Sequence, residues 1–180
     1  FEARDKLSVL PGERARQVRR ELLREALRAL LALHETSNEV ATFSSEAFRD
    51  LAMLAVDANE LDNALELAQR ALAAARRPDP SALRDRNEAL SLLVLGDVQR
   101  RLGRAEAALE SNRAGCALVG AEPLPGEPAH EPAMLLLNGQ TRQLELLREA
   151  GRMPEALALA EGVEQRLNRL PGEVASYEQG

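Results

Sequence analysis

From Glu13 to about Glu35 the apolar residues Val18, Leu22, Leu23, Leu27, Leu30 and Leu31 fall at steps of three and four. That spacing lines one face of an α-helix, so this stretch is expected to be a long amphipathic helix. The same spacing returns in pairs of segments further along. Phe48, Leu51, Ala52 and Ala55 form an inward face, with Ser44 or Ser45 as the expected N-cap. A partner helix should run from Leu61 to about Arg77 and stop at Pro78-Asp79-Pro80. Ser81 is placed to cap a helix reaching Leu102, and Gly103 to end it in a left-handed conformation. Its partner covers Arg104 to about Val119. A last pair spans about Pro132 to Ala150 and Pro154 to Leu170, with Pro154 suited to a first helical turn.

Three junctions share one pattern. Each ends a helix at Asn or Gly and opens the next with a small residue followed by Leu: Asn59 to Ala64-Leu65, Gly103 to Ala108-Leu109, Gly151 to Ala156-Leu157. The alanines recur at about 44 and about 48 residues, a period that marks stacked helical hairpins. A short turn forces each pair of helices antiparallel, and an early alanine lets their backbones approach. The expected organisation is an opening helix over 1–43, hairpins over 44–80, 81–122 and 132–170, and a tail over 171–180. A proline-rich linker over 123–131 should be extended and mobile, and the tail frayed.

Composition narrows the function classes. Hydrophobic residues make up 45% and charged residues 29%, so the chain is globular rather than disordered. Aromatics are 2%, which leaves Leu and Ala to build the core. A net charge of -6 argues against nucleic acid as a partner. The basic run Arg14, Arg16, Arg19, Arg20, Arg24, Arg28 reads as a solvated helix face. No apolar run approaches the roughly 20 residues of a membrane span. The single cysteine, Cys116, excludes an internal disulfide and fits a cytoplasmic protein. The chain opens on Phe1, so it is expected to be a piece of a larger protein.

The search for chemistry returns little. His34 and His130 lie at no metal-ligand spacing with each other or with Cys116, which reads as a small packing residue. No pair of carboxylates stands out, and no glycine-rich phosphate loop occurs. The expectation is a protein that is not an enzyme and carries no cofactor or metal.

The repeated residues resemble the tetratricopeptide repeat family. The first copy reads Phe48, Leu51, Ala52, Ala55, Asn59, Leu61, Ala64, Ala68, Ala71; the second centres on Leu95-Gly96-Asp97-Val98 with Gly103, Ala105 and Ala108; the third runs Gln140, Leu144, Leu147, Gly151, Met153, Ala156, Ala160. The resemblance covers about Ser44 to Leu170. The period exceeds the family's usual length, as in its long-repeat variants, and Leu144 stands where a small residue is expected. The resemblance implies an all-α, right-handed superhelical solenoid of antiparallel hairpins. It also implies a concave groove on the inner helices that receives a peptide or protein. Carried over copy by copy, the groove residues would be Arg49, Met53 and Val56, then Leu93, Asp97, Arg100 and Arg101, then Thr141, Glu145 and Arg148. Arg100 with Arg101 would clamp a carboxylate or phosphate. The opening segment from Leu10 to Leu27 looks like the helix that begins the repeat region behind some bacterial serine/threonine protein kinases, although no kinase motif is present. The function implied is a scaffold or sensor module of a bacterial signalling protein. A self-association module and the effector-sensing region of a transcriptional regulator are the alternatives.

Overall fold

The computed structural model describes residues 12–32, 37–120, 123–126, 128 and 130–167. Seven helices make up the described residues, with no strand among them: α1 (Glu13–Ala32), α2 (Asn38–Asp57), α3 (Leu61–Ala75), α4 (Ala82–Arg101), α5 (Ala105–Leu118), α6 (Glu131–Glu149) and α7 (Met153–Leu167). The protein is therefore all-α, as its Leu- and Ala-rich periodicity predicts. No described helix is long and apolar enough to cross a membrane. Pro11, His34, Thr36 and the stop at Leu170-Pro171-Gly172 lie outside the described residues, as do the side chains of Leu27, Leu30 and Leu31.

The three predicted junctions fold into one and the same turn. Asn59, Gly103 and Gly151 take φ of 57°, 73° and 70°. The following N–H reaches back five residues each time: Glu60 to Ala55 O, Arg104 to Gln99 O and Arg152 to Leu147 O, all at 2.8 Å. The Asn59, Gly103 and Gly151 N–H groups bond to the carbonyls of Val56, Arg100 and Arg148. Together these bonds are a Schellman motif, which satisfies the last carbonyls of a helix and needs a left-handed residue. Gly supplies that conformation without strain at two turns, and Asn tolerates it at the third.

Caps explain where the helices start. Ser81 Oγ accepts from the Arg84 N–H at 3.1 Å, as expected. The expected cap at Ser44 or Ser45 is wrong. Ser37 fills that role, accepting from the Val40 N–H at 3.2 Å, so α2 begins at Asn38. Ser44 and Ser45 instead sit inside α2 and are buried. Ser45 Oγ is 3.1 Å from Ser91 Oγ on α4, and that pairing satisfies a hydroxyl a cap would have shown to solvent.

Each of α1 to α6 packs on the helix that follows it in sequence, and α2 also packs on α4. Ala52, Ala55, Ala64 and Ala68 meet Leu95 and Val98 in one apolar cluster, joining α2, α3 and α4. Ala47, Phe48, Leu51, Ala71 and Ala74 form a second, with Leu23 of α1 against it. Ala108 and Leu109 of α5 meet Leu146 and Leu147 of α6 and Ala156 of α7 in a third. Ala64, Ala108 and Ala156 are all buried, as their place early in each second helix predicts. Burying each of the leucines stabilises the fold by roughly 1.5–3 kcal/mol, and the alanines add closeness rather than area.

Between α4 and α5 the seam is different. It is built from small and polar groups: Ser111 Oγ bonds to Gln99 Oε1 at 2.7 Å, and buried Asn112 lies against Gly96. Hydrogen bonds between hairpins join residues a repeat apart: Ser45 with Ser91 across 46 residues, Arg100 with Glu145 across 45 and Arg152 with Glu106 across 46.

Candidate functional site

The C-terminal ends of α2, α4 and α6 converge on an open cavity of about 640 Å³. Met53, Val56 and Asp57 line it from α2. Asp97, Arg100 and Arg101 line it from α4, and Glu149 from α6. Inner-helix spacing puts them there. Residues three and four apart share a helix face, so 53, 56 and 57 point one way, as do 97, 100 and 101. Met53 is 37% exposed, an unusual state for a large apolar side chain on a helix that otherwise buries its own.

Five of the ten sequence-predicted groove residues line this cavity: Met53, Val56, Asp97, Arg100 and Arg101. Glu145 stands behind it, bonded to Arg100. Thr141 and Arg148 are exposed on α6, and the Thr141 hydroxyl bonds back to Leu137 O at 3.0 Å. Arg49 is turned towards α4 and not into the cavity. Its Nη1 donates to Ser45 Oγ at 3.0 Å and Ser91 Oγ at 3.2 Å, tying two helices together. Leu93 is a correction. It is 2% exposed, and a methyl group placed on Gly139 of α6 would lie 3.1 Å from its Cδ2, so it is packed between helices and offers nothing to a ligand.

The expected arginine clamp is also revised. Arg100 already holds two carboxylates from α6. Its Nη2 and Nε meet Glu149 at 2.5 and 3.2 Å, a bidentate pairing, while Nη1 bonds to Glu145. The pairing with Arg100 holds the Glu149 carboxyl below its usual range, and the bond to Glu149 raises Arg100 above its own. Asp97 is 3.0 Å from Arg142 of α6, yet its carboxyl is raised: burial costs the charged form more than Arg142, Arg100 and Arg101 return. Arg101 is left as the exposed cation of the cavity with no ion pair among the described residues.

Asp57, Arg142 and Glu149 were not picked out in the sequence. The signal for Glu149 and Arg142 lies in the repeat period, since each falls about one repeat beyond the α4 residue it pairs with. Asp57 has a local signal: an acidic residue in the last turn of a helix opposes the helix dipole, which marks a position not chosen for stability.

Other chemistry is thin among the described residues. No group of three or more His, Cys, Asp or Glu side chains is placed to hold a metal ion. Cys116 is half-buried, takes a 3.1 Å hydrogen bond from Gln143 Nε2, and has its thiol pushed up by burial. A raised thiol stays protonated, the opposite of an activated nucleophile. No protein-family model matches the chain, and no curated protein matches it.

Proposed function

We propose that the protein is a tetratricopeptide-like repeat array, a right-handed superhelical solenoid, that binds a peptide or protein segment in the groove formed by α2, α4 and α6. The observation that carries this reading is the cavity itself: three helix ends converge on exposed Met53, half-exposed Val56 and the uncommitted cation Arg101. Three identical turns and cross-hairpin pairs spaced by 45 and 46 residues support the repeat architecture. Rigid helices hold these anchors before a ligand arrives, so little entropy is lost on binding. The cellular role that fits is an adaptor or sensor segment of a larger bacterial signalling protein in the cytoplasm.

Site-specific photo-crosslinking in cells tests the reading. A crosslinker at Met53 or Arg101 should trap a partner protein, and one at Glu66, exposed on α3 and outside the cavity lining, should not. Arg101→Glu in the Met53-crosslinker background should abolish capture. Trapping that is equal at Glu66 and Met53, or absent from Met53, would remove the groove from consideration. Self-association is favoured by a separate feature, the exposed Val18 and Leu22 beside Arg24 and Arg28 on α1. Sedimentation across a concentration series measures it directly.

A further inference from the structure

Helix α6 meets its two neighbours with two different chemistries. Towards α5 it is apolar and hydrogen-bonded. Leu146 and Leu147 lie in one cluster with Ala108 and Leu109, no α4 residue belongs to that cluster, and buried Gln143 Nε2 donates to Asn112 O at 3.3 Å and Cys116 Sγ at 3.1 Å. It comes close to both neighbours at one point, where Gly139 faces Leu93 of α4 and Cys116 of α5. Beyond that point, going towards the mouth of the groove, what spans the two helices is charge. Arg142 pairs with Asp97 at 3.0 Å, and Glu145 and Glu149 share Arg100. These pairs are only partly covered, with side-chain exposures of 34% for Arg100 and 45% for Glu149.

We infer that α6, with α7 behind it, is a jaw of the groove latched by these ion pairs, and that ionic strength sets the width of the mouth. The physical asymmetry is what makes this work. Partly exposed ion pairs are worth little and weaken as salt screens them. Apolar contact does not weaken with sodium chloride. Salt therefore loosens the α4 side of α6, while the apolar cluster and the buried Gln143 bonds hold the α5 side. The exposed Arg152–Glu106 and Arg113–Glu155 pairs between α5 and the start of α7 weaken too, but Ala156 keeps α7 on the same cluster. Helix α6 then rolls on its apolar cluster, about the close contact at Gly139, and carries Glu149 away from α2. The remaining charges lining the mouth, Asp57 and Arg101, sit on α2 and α4, so they form no cation–anion pair across α4 and α6 that could replace the latch. This jaw is a property of the folded chain alone, so it stands or falls without any partner.

Pulsed electron paramagnetic resonance between nitroxides reads the aperture. Labels go on Ala58→Cys and Ala150→Cys, both exposed at the ends of α2 and α6, in a Cys116→Ser background that keeps a hydrogen-bonding group for Gln143. In 50 mM sodium chloride the distance distribution should be single and narrow. In 1 M it should shift several ångströms longer. Arg100→Gln should lengthen the distance already at low salt and shrink the response to salt, which the remaining Arg142–Asp97 pair alone would carry. A control pair, Ala58→Cys with Arg104→Cys, spans α2 and the α4–α5 turn and should not move. An Ala58–Ala150 distance that ignores salt in the parent protein overturns the latch, whatever Arg100→Gln does to folding. A control pair that moves as much as the test pair overturns it too, because the whole fold would then be loosening.

Discussion

Gly96 offers the sharpest test of how α4 and α5 fit. A Cβ added there would lie 2.6 Å from Asn112 Oδ1, 3.0 Å from Asn112 Cγ and 3.2 Å from Ala108 O. Asn112 is 1% exposed, so its side chain has no open space to move into. Gly96→Ala should thus pit two effects against each other. Relieving glycine's backbone entropy in a helix interior gains about 1 kcal/mol. Forcing a carbon into the seam costs about 1–3 kcal/mol. The clash should win by about 1 kcal/mol. Asn112→Ala removes the obstructing carbonyl, which has no hydrogen-bond partner in the seam. In that background the clash falls to the 3.2 Å approach to Ala108 O, and Gly96→Ala should become neutral to stabilising. The expected coupling energy is then about 1–2 kcal/mol. At roughly 2–4 °C per kcal/mol for a chain of this size, Gly96→Ala should act on the melting temperature about 2–8 °C more favourably with Asn112→Ala than without it. Four proteins measured by calorimetry complete the cycle. If Gly96→Ala raises the melting temperature equally in both backgrounds, the close approach of α4 and α5 at this point is refuted.

Three further perturbations follow from the same structure. Ala108→Glu places an unpaired carboxylate at a position with no solvent exposure, and should cost about 3–5 kcal/mol in urea unfolding; an unchanged midpoint would contradict the packing of α5. Ser81→Ala removes the bond to the Arg84 N–H and should cost about 1 kcal/mol, read as a melting-temperature drop that Ser81→Asp largely restores. Asp97→Asn tests the raised carboxyl: a folded-state pKa above the unfolded value near 3.9 contributes stability that is present at low pH and lost as pH rises through the folded value, so the Asp97→Asn variant should gain on the parent between about pH 3 and pH 7. Urea melts across that range would show the opposite slope if Arg142 outweighed burial.

The helices and turns were legible because their signals are local. Gly103 and Gly151 announce left-handed C-terminal positions, Ser81 announces a cap, and three- and four-residue steps announce each buried face. The start of α2 was misread for a physical reason. Ser37, Ser44 and Ser45 are equally good caps in isolation, and what decides among them is Ser91, a residue on another helix that satisfies the Ser45 hydroxyl. Five of the ten candidate residues line the cavity because shared helix faces carry them, but the states of the candidates were not legible. Leu93 and Arg100 both fall on α4 at groove-facing spacing. One is covered because Gly139 lets α6 approach, and the other is occupied because Glu145 and Glu149 arrive from a helix some 45 residues later. Exposure and charge pairing depend on such distant partners, and helical periodicity carries no information about them.

Under the proposed function, the placement of charge in the groove sets what it would select. Had Arg100 been free, it and Arg101 would have offered two adjacent cations, and any anion would have fitted. With Arg100 tied to α6, the cavity presents one cation, one acid at Asp57 and an apolar patch at Met53 and Val56. A lone exposed cation holds an anion weakly, so charge alone cannot supply affinity at this site. Affinity has to come from covering Met53, and Arg101 and Asp57 then discriminate by penalising whatever leaves them unpaired or facing like charge. A ligand suited to this groove therefore brings an apolar side chain first and complementary charges second. For the same reason, Met53→Ser should weaken partner capture more than Arg101→Gln does.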